Sequence, residues 1–242
     1  MPCRMCLRDL PLVDSHIIPR SFYRIDHSDG QPTKLVSNVP GEHPKRIPIG
    51  EYDQIVCEEC ERLFSPWDQY ANELLLTAVE NRRDVMNNGQ VVAQLIQEYD
   101  YHNLKMFFLS LLWRISAATR PMFGSINLGP YQEILRNLIL NQNVGEIIDF
   151  STLISQFDAN TPVLNPHYER WDGIRYVRVY LANYVAHTKV DRQRPPRGPL
   201  SDVSMHPDRP LCIIARDFQG SAEYRMLRNM LDDNPNLFRT RH

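Results

Sequence analysis

Glycine is scarce in this chain, ten residues in 242, and none of them lies in a Walker loop, a dinucleotide-binding fingerprint or the elbow of a serine hydrolase. Those three chemistries are excluded as readings of the sequence. Long apolar runs are missing too. The most apolar stretch, Met106 to Ile115, is interrupted by Ser110 and Arg114 and is too short to span a bilayer. The opening Met1-Pro2-Cys3-Arg4 has no apolar segment of the kind a signal peptide needs. There is no internal repeat and no excess of basic charge. The 27 basic and 29 acidic residues give a formal net charge of -2, so no global positive field draws the chain to nucleic acid. Any such contact must come from a local patch. The expectation is a soluble, cytoplasmic protein with no membrane partner.

Cysteine is also sparse, but its placement is informative. Four of the five cysteines form two C-x2-C pairs, Cys3 with Cys6 and Cys57 with Cys60. In a reducing compartment disulfides are disfavoured, and two such pairs suit one tetrahedral Zn2+ held by four thiolates. The separation between the pairs is long, but loop closure grows costly only slowly with length. The competing reading is two unrelated pairs of buried cysteines. Cys212, in the apolar run Pro210 to Ala215, reads as a small buried hydrophobe.

Between the pairs, the apolar and β-branched residues around His16 suggest a short strand that Pro19 ends. Residues 26 to 48 are polar and rich in Pro and Gly, which predicts a loop or loose hairpin. Gly50 to Val56 leads into the second pair, and Glu58 to Phe64 can form a short helix carrying Glu61.

This order resembles the HNH nucleases, also called His-Me finger or ββα-metal nucleases, in their zinc-bearing form. The resemblance covers about residues 1 to 65 and rests on the two C-x2-C pairs and on Ser15-His16-Ile17-Ile18-Pro19. It implies a treble-clef or ββα-type module with Cys3, Cys6, Cys57 and Cys60 as structural zinc ligands. It implies His16 as the general base that activates water, and a catalytic Mg2+ or Mn2+. The sequence departs from the family at the metal ligands. The residue before the base, often Asp, is Ser15, a poor ligand for Mg2+. Asp14 is adjacent but on a strand points to the opposite face. The helix position that usually holds His or Asn is Glu61, an acceptable hard ligand. The middle Asn has no clear counterpart, and Tyr52 and Asp53 occupy that neighbourhood. Asp14, Asp53 and Glu61 are thus the candidate ligands of a divalent metal. His16 also fits a structural histidine or an alternative zinc ligand, and Glu61 also fits a solvated residue favoured by a helix N-terminus.

Beyond residue 65 the period is mostly helical. Ser65-Pro66 reads as N-cap and first residue of a helix that runs to about Asn87, stopped by Asn87-Asn88-Gly89. Further helices are expected over Val91 to Tyr99, Asn103 to Thr119 and Pro130 to Asn141. The third of these four is apolar over much of its circumference, as a central core helix is. Ile174 to Tyr180 alternates as a strand does. Residues 188 to 210 read as a long loop, Leu211 to Ala215 as a strand and Ser221 to Leu231 as an amphipathic helix. The expected fold is α+β and mainly helical: a zinc module at 1–65, a helical body at 66–160 and a small α/β region at 161–242.

Basic residues cluster locally. Arg20, Arg24, Lys45 and Arg46 lie in or near the segment between the cysteine pairs, and Lys189, Arg192, Arg194 and Arg197 lie in the later loop. Phosphate contact and simple solvation both fit them, because acids such as Glu42, Asp26, Asp191 and Asp202 dilute the charge. Two functions follow. One is a metal-dependent HNH-type nuclease acting on DNA or RNA, for which the resemblance makes a bacterial defence or mobile-element setting natural. The other is a catalytically degenerate zinc module that binds nucleic acid or a protein partner within a larger assembly.

Overall fold

A two-stranded ribbon opens the chain. In the computed structural model, which describes residues 1–23, 34–35, 45–46, 50–159, 161, 163–194 and 198–233, strand β1 (Leu12–His16) pairs antiparallel with a later strand. A 3-10 turn at Arg20–Phe22 follows Pro19. The two-residue strands β2 (Lys34–Leu35) and β3 (Lys45–Arg46) pair with each other, and β4 (Tyr52–Cys57) then returns beside β1. The register sets Leu12 against Cys57 and His16 against Tyr52, with a bulge between Val13 and Ser15.

Helix α1 (Glu58–Asn72) starts directly at the end of β4. Glu58, Glu59 and Glu61 in its first turn suit the positive end of the helix dipole. The two helices expected on either side of Ser65-Pro66 are therefore one. Pro66 sits inside α1 on its exposed side, where it forfeits one backbone hydrogen bond. The burial of Phe64, Trp67 and Ala71 offsets that loss. The last turn widens into a π turn at Glu73–Thr77, closed by Ala78 N donating to Glu73 O at 2.8 Å. Arg82 Nη2 and the Tyr184 hydroxyl take up the Leu75 carbonyl at this end.

The expected helix does not continue to Asn87, and Val91 to Tyr99 is not helical. These residues form a hairpin of β5 (Arg82–Asn87) and β6 (Gln90–Ile96). Asn88 and Gly89 both have positive φ, 49° and 78°, as a two-residue type I′ turn requires. Helix α2 (Tyr101–Ala117) and helix α3 (Pro130–Leu140) follow close to the expected bounds. Next come β7 (Thr152–Phe157), β8 (His167–Trp171), β9 (Ile174–Leu181) and β10 (Tyr184–Lys189). A short helix, α4 (Pro199–Val203), interrupts the expected 188–210 loop, before β11 (Leu211–Arg216) and α5 (Ala222–Asp233).

Seven strands make one sheet in the order β5-β6-β11-β7-β10-β9-β8. β11 is inserted between β6, to which it is antiparallel, and β7, to which it is parallel. Among the described residues helix makes up 35% and strand 28%, so the fold is α+β but not mainly helical. The physical reason lies in residues 82–96, which pair as a hairpin and join the sheet through the backbone pairing of β6 with β11.

α2 is the centre of the core. Leu104 to Ile115 is buried all round, and Ile17, Ile18, Phe22, Ile55, Val56, Phe64 and Trp67 join the same cluster. Its three buried polar side chains are accounted for. Lys105 donates to the carbonyls of Asp149 and Phe150, Ser110 to Phe107 O, and Arg114 reaches the N-terminal ribbon. Burial pushes the Lys105 ammonium down to about 7. At the far face of the sheet Glu223 of α5 is paired with Arg178 and, at 3.2 Å, Arg216. Among the described residues no helix is long and apolar enough to cross a membrane.

The N-terminus of α2 is capped by Asp100, whose Oδ1 accepts from Asn103 N at 2.9 Å. Asp100→Ala should lower stability by about 1 kcal/mol, read by urea unfolding, because the first turn loses its side-chain acceptor. A change below a few tenths would mean that solvent replaces the cap at no cost.

Candidate metal centre

Cys3 and Cys6 sit on a tight turn, with Leu7 N donating to Cys3 O at 2.8 Å and Leu7 itself at φ 63°. Cys57 ends β4 and caps α1, and Cys60 lies in the first turn of that helix. The fold thus carries both pairs to one point, and the four Sγ atoms all lie within 4.8 Å of one another. Cys6 and Cys57 Sγ are 3.8 Å apart. A tetrahedral zinc with bonds of about 2.3 Å spaces its sulfurs by about 3.8 Å, so the residues present fit such an ion. Cys6 N and Cys57 N point at Cys3 Sγ, at 3.5 and 3.3 Å.

Burial pushes the Cys3 and Cys60 thiols up. Burial opposes ionisation of Cys6 as well, but hydrogen bonds from Arg8 override it and bring that thiol down to about 6. Among the described residues these four cysteines are the one group of three or more His, Cys, Asp or Glu that can hold a metal ion, zinc being the ion this donor set suits.

Beside the cluster, His16 ends β1 and its ring stacks on Tyr52, centroids 3.9 Å apart and planes 41° from parallel. The buried Ser15 hydroxyl donates to the Glu61 carboxylate. Burial raises the Glu61 carboxyl above its ordinary range, against the opposing effects of the Ser15 hydrogen bond and the Arg114 charge. The ribbon and α1 therefore bring Ser15 and Glu61 into contact, while His16, the next residue of β1, faces Tyr52.

The other two candidate ligands lie elsewhere. Asp14 is exposed, on the opposite side of the strand from Ser15, and accepts from Gln54 Nε2 at 3.1 Å. Asp53 is buried and occupied on both oxygens. Gln54 N donates to Oδ1 at 2.9 Å, and the backbone and hydroxyl of Thr119 donate to Oδ2, the hydroxyl at 2.8 Å. Asp53 thereby ties β4 to the end of α2. Arg20 is exposed just past Pro19. Arg24 lies outside the described residues, as does Arg197, and for Lys45 and Arg46 only the backbone pairing is described.

One residue at this site escapes sequence reasoning. Arg114, fully buried, donates to Asp68 through both Nη atoms, at 2.7 and 2.9 Å, and to His16 O at 3.2 Å. It joins α2, α1 and β1 at one guanidinium. The available signal is an arginine inside an otherwise apolar helix, since such a residue is buried only when paired.

No protein-family model, no curated protein and no solved structure matches this chain.

Proposed function

We propose that this protein is a zinc-stapled nuclease of the HNH type that hydrolyses phosphodiester bonds of DNA or RNA. The observation that supports it most is the succession of β1, β4 and α1 around four clustered cysteines, with His16 and Glu61 on adjoining elements. Zinc at the four thiolates holds ribbon and helix together and does no chemistry, because its coordination is filled.

In this reading His16 takes a proton from water. The water oxygen then attacks phosphorus, and the leaving alkoxide separates as the opposite ester bond breaks. An imidazole suits the task because its ordinary pKa lies near neutrality. Glu61 would hold the divalent ion, since a carboxylate is a suitable ligand for a hard cation. The ion supplies charge stabilisation at the phosphate when bound. Arg114 fixes the His16 backbone from below, and Tyr52 limits the ring's rotation.

His16→Ala should keep its zinc and its melting temperature and lose cleavage of plasmid or single-stranded DNA by about 100-fold or more. Glu61→Gln should also keep zinc but need more Mg2+ or Mn2+, since an amide is the weaker ligand for a hard cation. Unchanged cleavage by zinc-replete His16→Ala would remove the histidine from the chemistry.

A second reading is favoured by the placement of Asp14 and Asp53, neither of which is beside Glu61. It is the degenerate zinc module that binds nucleic acid or protein without cutting. Wild-type protein that leaves plasmid and single-stranded substrates intact in both Mg2+ and Mn2+ would select it.

A further inference from the structure

Two exposed arginines are seated on the outer edge of β4, and neither serves the zinc, His16 or the core. Arg120, in the turn after α2, donates its Nε to Tyr52 O. Arg4 donates its backbone N–H to Ile55 O at 2.9 Å, and its Nη1 to Ala117 O at the end of α2. Both side chains are exposed. Among the described residues, neither has a carboxylate within ion-pair distance. The arginines at the start of the module's helix differ in this respect: Arg8 is paired with Glu59 and Arg62 with Glu58.

The anchoring is what makes them a site rather than a solvated fringe. Each side chain has one N–H fixed to a backbone carbonyl, and among the described residues the other four donors of each guanidinium fork meet no acceptor. Thr119 grips Asp53 next door, so the turn carrying Arg120 cannot drift from β4. Tyr52, whose carbonyl Arg120 holds, is the register partner of His16 and the ring against which that imidazole stacks. The two anchor residues, Tyr52 and Ile55, stand about 10 Å apart along the strand. Arg4 also answers the negative end of α2, but a single N–H does that.

We propose that Arg120 and Arg4 form a rail for backbone phosphates of a nucleic-acid strand lying along β4 beside His16. The identity of the anion rests on the nuclease reading above; the placement of the two cations does not. A guanidinium presents paired donors that match phosphate oxygens, and such contacts set position without reading sequence. The rail therefore binds strands of any sequence.

The test is a salt titration of binding, by fluorescence anisotropy, of a short labelled oligonucleotide in single-stranded and duplex form, without added divalent metal. Removing one arginine–phosphate pair lowers the slope of log affinity against log salt by about 1. Arg120→Gln should reduce the slope by about 1 and Arg120→Gln with Arg4→Gln by about 2, with zinc content unchanged. Arg120→Lys, which keeps the charge, should retain the slope, and Arg170→Gln, on the far edge strand β8, should leave it untouched. An unchanged slope in zinc-replete Arg120→Gln overturns the rail while cleavage by the wild type keeps the nuclease reading standing. An equal reduction in Arg120→Lys or in Arg170→Gln also overturns it, the first pointing to damage of the ribbon and the second to diffuse attraction. Wild-type protein that neither binds nor cuts overturns both the rail and the nuclease reading.

Discussion

Cys57→Ser is expected to empty the metal centre and unfold the N-terminal ribbon. Wild-type protein should carry about one zinc per chain, as four thiolates complete one tetrahedral site. Cys57 is the most exacting of the four positions. It ends β4, caps α1, pairs in register with Leu12, and its N–H points at Cys3 Sγ. Structural zinc in small modules contributes on the order of 10 kcal/mol of apparent folding energy, and that energy is lost with the metal. Part of the loss is recovered here, because Ile17, Ile18, Phe22 and Val56 still have α2 to pack against. Even a net loss of about 4 kcal/mol lowers the melting temperature of a chain this size by roughly 8–16 °C. A strong chelator should act in the same direction on the wild type. Metal analysis and calorimetry on one preparation check the claim, and a serine variant with full zinc and an unshifted transition would refute it.

The second large effect is expected at Arg114. Arg114→Leu should cost about 3–5 kcal/mol, the usual consequence of removing one partner from a buried ion pair. Asp68 then stays in a largely buried position without its bidentate donor, and the His16 carbonyl is no longer held by α2. The loss should fall on the ribbon first, so proteolysis near residues 17–23 should accelerate before global unfolding does. Removing the acid too separates charge from packing. Arg114→Met with Asp68→Leu should recover most of the stability, because an apolar pair of similar volume carries no desolvation cost. A single variant that loses less than about 1 kcal/mol in urea would show that the guanidinium is dispensable.

The four-cysteine cluster is legible in the sequence because its chemistry is written in spacing alone: two C-x2-C pairs suit one metal ion whatever lies between them. Helices α2 and α3 and strands β9 and β11 are legible from period. The 82–96 hairpin is not, although its signal is present. Asn88-Gly89 is the residue pair a type I′ turn demands, but the same pair stops helices, and a helical period before it favours the wrong choice. Val91 and Val92 carry the better clue, since β-branched residues flanking such a turn favour strands. Pro66 misleads in the opposite way. Proline marks helix starts often enough to divide one continuous helix in two, and only the packing of Phe64 on α2 through Trp113 tells the two cases apart. At the site, strand alternation correctly places Asp14 on the face opposite Ser15. The engagement of Asp53 by Thr119 spans 66 positions of sequence and leaves no local trace.

The insertion of β11 between β6 and β7 bears on the order in which the protein can be made. β6 ends at Ile96 and β7 at Phe157, yet the strand that joins them begins at Leu211. At a synthesis rate of roughly 5–20 residues per second, β6 waits about 6–23 s for its neighbour to leave the ribosome. Once β7 is made, two strand edges face an empty slot until β11 arrives, each offering unpaired backbone groups to any extended chain nearby. The hairpin β5–β6 and the four-stranded unit β7-β10-β9-β8 can form as separate pieces, but the facing edges of β6 and β7 stay open until the last eighth of the chain arrives. A ribosome stalled between residues 190 and 210 would therefore hold the chain in its most adhesive form, and nascent-chain aggregation should peak there and fall once Arg216 has emerged.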